Sequence, residues 1–172
     1  LFSVIRVRAL SDDWRHARVE LKHAWYNRNY VRTQFGGSLF SMTDPFWMML
    51  VMHGLGPRYH VWDQAGEIRF VSPGRENVFA EFHLTQETID GIHAAAASGV
   101  KHLRWFEVDV RTAGGTLVAQ VRKQLYVRLK PQYRKYEAHL KAAALGGVRA
   151  AALEYGTTFE NPEFIALAER LT

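Results

Sequence analysis

The chain contains no cysteine in its 172 residues. Disulfides and thiolate metal sites are excluded, a composition that fits a cytoplasmic protein. There is no Gly-x-Ser-x-Gly elbow, so Ser38 and Ser41 read as helix-cap and packing residues rather than nucleophiles. The eight histidines form no His-x-His or His-Glu-x-x-His pair. His53 and His60 are separated by a helix end and Pro57, so no metal site is expected. Residues 1–10 are too short and too arginine-rich for a membrane span, and no signal peptide is visible. No aromatic-basic RNA motif or recognition helix appears, which argues against a nucleic acid partner. Repeats and low-complexity segments are absent as well.

What is present suffices for a globular core, since 48% of residues are hydrophobic. The length suits one domain with room for an appendage. The formal net charge is +5. Its positive residues are spread from Arg15–Arg18 to Arg134–Lys135 rather than gathered in one block. That distribution reads first as a solvated surface and second as a surface for a phosphate-bearing ligand.

Along the chain, Arg18–Trp25 alternates at Val19, Leu21, His23 and Trp25, the pattern of a half-buried strand. Asn27-Arg28-Asn29 breaks it. Gly36–Gly54 reads as one long helix, apolar on nearly every side, which Gly54-Leu55-Gly56-Pro57 stops. Tyr59–Ser72 is extended and turns at Pro73-Gly74. Asn77–Leu84 alternates as a strand, and Thr85 can cap a shorter helix over Gln86–Ala97, closed by Gly99.

Lys101–Thr112 is the next strand, with Phe106, Val108 and Val110 on one face and Leu103, Trp105, Glu107 and Asp109 on the other. Ala113-Gly114-Gly115 makes a hairpin to the last strand, Leu117–Leu129. Antiparallel strands with a segregated helix give an α+β domain over residues 1–130. Residues 131–172 read as a helical C-terminal extension. Ala142–Ala144 and Ala150–Ala152 are helix-prone, and Asn161-Pro162 opens a final helix to Leu171.

The densest pattern runs from Asn29 to Asp44. A loop Asn is followed seven residues on by Gly36-Gly37, and an acid stands eight residues after Gly36. These intervals resemble the hotdog-fold thioesterase superfamily, especially its phenylacetyl-CoA-thioesterase-like branch. Within that branch the likeness is to bacterial proteins of unassigned function. The resemblance spans roughly residues 15–130 in element order. It implies an antiparallel sheet wrapped around a long central helix, and acyl-CoA as the substrate. It also implies a site shared across a two-fold interface, in a homodimer or a dimer of dimers. Asp63 falls near the family's frequent second polar catalytic position, with a one-residue insertion. Two positions depart from the pattern. Arg32 stands where the family often has Gly, and Phe35 where it often has His.

Thioester hydrolysis would use these residues as follows. The developing oxyanion needs fixed N–H donors, which a helix start at Gly36 and Gly37 supplies. Their missing Cβ atoms let a substrate come close. Asn29 would orient the carbonyl or the water, and Asp44 would act as general base or nucleophile. On a straight helix the eight steps from Gly36 to Asp44 span about 12 Å, too far for one carbon, so an antiparallel partner helix is required. Arg75 and Lys123 are candidates for a coenzyme A phosphate. Coenzyme A enters with the substrate, and no other cofactor is needed.

Plainer roles stand beside each of these. Asp44 precedes Pro45 and could cap a new helix over Pro45–His53. Gly36 and Gly37 could serve close packing, Asn29 a turn, and Asp63 an ordinary strand hydrogen bond. The alternative function is a non-catalytic acyl- or acyl-CoA-binding protein.

Overall fold

The computed structural model describes residues 4–134. Nine elements follow in chain order. They are β1 (Ile5–Leu10), β2 (His16–Leu21), α1 (Gly36–Ser41), α2 (Phe46–Leu55), β3 (Tyr59–Phe70), β4 (Val78–His83), α3 (Gln86–Ala96), β5 (His102–Thr112) and β6 (Leu117–Leu129). The six strands form one antiparallel sheet in the order β1-β2-β4-β5-β6-β3. The α+β class is as expected. The helices anticipated between 142 and 171 lie outside the described residues.

One face of the sheet carries the core. Period-2 alternation buries Ala17, Val19 and Leu21 on β2, and Val78, Ala80 and Phe82 on β4. It buries Phe106, Val108 and Val110 on β5, and Val121, Leu125, Val127 and Leu129 on β6. Helix α2 lays Phe46, Trp47, Leu50, Val51 and Leu55 onto that face. Trp47 packs against both Phe82 and Phe106, with ring centroids 5.3 and 4.9 Å apart.

The single helix expected over Gly36–Gly54 is two helices. Pro45 has no N–H to give and disfavours helical backbone at Asp44. The chain tightens before it: the N–H groups of Thr43 and Asp44 reach back only three residues, to Phe40 and Ser41 carbonyls. The Thr43 hydroxyl also donates to the Phe40 carbonyl at 2.8 Å. Regular bonding resumes when Met49 N–H meets the Pro45 carbonyl.

The first strand differs as well. It ends at Leu21 rather than Trp25, and β1 pairs beside it, a strand the sequence did not announce. By contrast Thr85 caps α3 through the Thr88 N–H, and Gly115 takes φ +88° in the hairpin turn, both as expected.

Candidate functional site

The loop from Asn29 to Gln34 delivers the chain to Gly36. Asn29 closes it: its side-chain oxygen accepts from Thr33 N–H at 2.9 Å, and its amide donates to the Thr33 hydroxyl at 2.7 Å. The same amide makes only a long 3.5 Å contact with the Gln34 carbonyl. Arg32 N–H bonds the Asn29 carbonyl, and Arg32 sits at φ +63°. That left-handed backbone is what glycine tolerates best, which explains physically why glycine suits this turn.

Gln34 anchors the loop and escaped the sequence reading. It is buried, its N–H bonds the Gly74 carbonyl, and its amide donates to the Leu21 and Glu76 carbonyls. A glutamine beside a Phe-Gly-Gly run carries no sign of this, because its partners lie 13 to 42 residues away.

Between this loop and the Phe70–Arg75 turn lies an open groove of about 480 Å³. Asn29, Gln34, Gly36, Leu39, Phe70 and Arg75 are on its wall. Among the described residues, the Gly36 and Gly37 N–H groups have no hydrogen-bond partner. Aromatic rings lie close over both glycines. A Cβ on Gly36 would come within 2.8 Å of the Phe70 ring, and one on Gly37 within 2.5 Å of the Phe35 ring. Both phenylalanines are more than half exposed, at 58% and 54%. The close approach that the glycines permit is therefore taken up in this chain by Phe70 and Phe35. Arg75 is exposed at the groove and has no ion-pair partner among the described residues.

Asp44 does not cap α2. The cap position is Pro45, with no side-chain bond. The break instead points the Asp44 carboxylate at Lys123, whose Nζ donates to it at 2.5 Å. The same ammonium is 3.6 Å from Asp63. Lys123 is on the buried face of β6, its side chain only 4% exposed, while that of Asp44 is 56% exposed. The Phe40 ring lies over the ammonium, 4.8 Å from Nζ to centroid.

Gly66, the register partner of Lys123 on β3, leaves the room. A Cβ there would meet the Phe40 ring at 2.6 Å and the Lys123 stem at 3.2 Å. This differs from the expectation of Lys123 as a phosphate contact, since its charge is turned inward onto two acids. No sequence signal shows it, because Asp44 and Lys123 are 79 residues apart.

Asp63 precedes a bulge in β3, where the register with β6 shifts between Asp63 and Ala65. The bulge absorbs one extra residue, Gln64. Burial raises the Asp63 pKa above 3.8. The Lys123 charge works against that rise, and the Asp44 charge adds to it. Its Oδ1 is buried without a hydrogen-bond partner among the described residues. The structure thus gathers Asp44, Asp63 and Lys123 into one cluster, and places Asn29, Gly36 and Arg75 around the groove.

The domain family of unknown function DUF4442 matches residues 3–127. A Pseudomonas aeruginosa protein of unknown function, described as a probable thioesterase, superposes with a TM-score of 0.67 at 20% identity. The match covers 74% of this chain and 85% of that one. A thioesterase of Haemophilus influenzae gives 0.53 at 15% identity, over 73% and 78% of the two chains. A hypothetical thioesterase of Streptococcus pneumoniae, solved with coenzyme A, gives 0.50 at 17% identity, over 73% and 87%. No curated protein matches. Among the described residues, no helix is long and apolar enough to cross a membrane. With a family model covering most of its length and an architecture shared with these structures, the chain belongs to the DUF4442 family and has the hotdog fold.

Proposed function

We propose that this protein is an acyl-CoA thioesterase that works as a dimer, each site drawing on two chains. The observation that carries the reading is the disposition of Asp44 and Gly36. A half-exposed carboxylate sits at the helix break beside edge strand β3, and Gly36, with its unpartnered amide, lines a separate groove of the same chain. A second copy across the β3 edge would bring the acid of one chain to the amides of the other. In that arrangement Gly36 and Gly37 N–H groups hold the oxyanion once Phe35 and Phe70 swing aside. Asn29 gives up its long contact to Gln34 and orients the carbonyl. Asp44 activates water or attacks directly, with Lys123 and Asp63 fixing its carboxylate. Arg75 meets a phosphate of coenzyme A. The coenzyme A in the Streptococcus pneumoniae relative supports that ligand class.

A release assay for free thiol across an acyl-CoA panel tests this. Turnover should fall about 10²–10⁴-fold in Asp44→Ala.

A specific pair of observations favours the second reading, a non-catalytic acyl-CoA-binding protein. Lys123 occupies Asp44, and two phenyl rings lie over the glycines. Binding without turnover, unchanged in Asp44→Ala, would establish that reading and end the first.

A further inference from the structure

Strands β2 and β4 pair in register with His16 opposite His83 and Arg18 opposite Glu81. All four side chains lie on the outer face of the sheet, because Ala17, Val19, Ala80 and Phe82 take the inner one. The two imidazoles are 4.5 Å apart between centroids. Glu81 joins them from two residues before His83, its Oε2 at 3.8 Å from His83 Nε2. One donor atom from each of His16, Glu81 and His83 lies within 4.8 Å of the other two. Two imidazoles and one carboxylate are a zinc donor set that leaves the fourth tetrahedral position to water. We propose that His16, Glu81 and His83 form a binding site for a divalent first-row transition ion, with Zn²⁺ the best fit.

Three features of the geometry support it. The donors come from two hydrogen-bonded strands, so their Cα positions are fixed and only side-chain torsions must adjust. Bonds of about 2.0–2.2 Å require the donors to close in by roughly an ångström. Glu81 has its two oxygens divided: Oε1 faces the Arg18 guanidinium at 3.3 Å, while Oε2 faces His83. Arg18 is itself steadied over the Phe79 ring, 4.9 Å from its centroid. An outer guanidinium that orients a ligating carboxylate is the second layer such sites use. The ligands escaped the sequence reading because His16 and His83 are adjacent only across strands.

The site is on the opposite face of the sheet from Lys123 and Asp44. The ion would join two strands, and none of its ligands lines the groove.

The test is calorimetric titration of untagged, chelator-treated protein with zinc chloride, repeated for His16→Gln, His83→Gln and Glu81→Gln. The wild type should bind one equivalent per chain and melt at a higher temperature with zinc present. Each variant should lose at least about tenfold in affinity. All three positions are at least partly exposed, and melting curves without metal check that the variants fold. No saturable binding by the wild type overturns the site. So does wild-type affinity in the two histidine variants, which would assign the zinc elsewhere. Wild-type affinity in Glu81→Gln overturns the three-ligand set.

Discussion

Arg122 and Lys123 are neighbours on β6, and each stands between two acids, yet they face opposite sides of the sheet. Arg122 points outward, 3.3 Å from Glu67 and 3.0 Å from Glu107, with its side chain 45% exposed. It also lies over the Trp105 ring at 4.7 Å. Lys123 points inward to Asp44 and Asp63 with 4% exposure. Water screens the outer triplet and competes for every charge in it, so its net worth is small. The inner ammonium has left water and depends on acidic partners, of which half-exposed Asp44 is the nearer. One alternation of the strand thus separates ornament on the surface from a group the fold must keep.

Four changes would break or sharpen that contrast. Lys123→Met should cost about 1–3 kcal/mol in chemical denaturation, below the full buried-pair figure because Asp44 can rehydrate. A loss no larger than that of an outer-face change would erase the distinction between the two sides. Next in size is the turn that leads into the site. Arg32→Gly should gain about 1 kcal/mol by relieving left-handed backbone, partly offset by the entropy of glycine in the unfolded chain. An unchanged or lower midpoint would show that Arg32 is not strained.

Asp63→Asn should have a smaller effect that depends on pH. The Asp63 pKa is raised in the folded state, so the folded chain holds that proton more tightly than the unfolded chain. Wild-type stability is therefore lost as pH rises from 3.8 through the folded value, and the asparagine variant escapes this loss. The variant should melt above wild type at neutral pH, with the difference shrinking as pH falls toward 3.8. A constant offset across that range would remove burial of the charge as the cause. The smallest change is expected for Arg122→Gln, under about 1 kcal/mol and further reduced by salt.

The strand faces of β5 and β6 were legible because alternation is a local signal. So was the Thr85 cap, which needs only a hydroxyl three residues before an N–H. Strand β1 was not, since nearly all of it is exposed and its residues leave no periodic trace. The helix break was half legible: Pro45 announces a change of direction, but not where the freed carboxylate goes. Asn29, Gly36 and Asp44 were singled out by their spacing alone. The roles of Lys123 and Gln34 were not, because a charge or amide acquires a partner only after distant strands meet. The same holds for His16 and His83. Sequence reasoning follows one strand at a time, whereas these groups are defined by register between strands.

Gly66 has a consequence for how relatives of this chain can diverge. Its empty side is filled by Phe40 and by the stem of Lys123. Any lineage that retains both must leave position 66 bare, since even one methyl would displace the ring. A lineage that first surrenders the Phe40 ring loses the nearer contact and can then admit larger residues. The order of replacement is thereby constrained: 40 before 66, with the lysine stem the lesser obstacle.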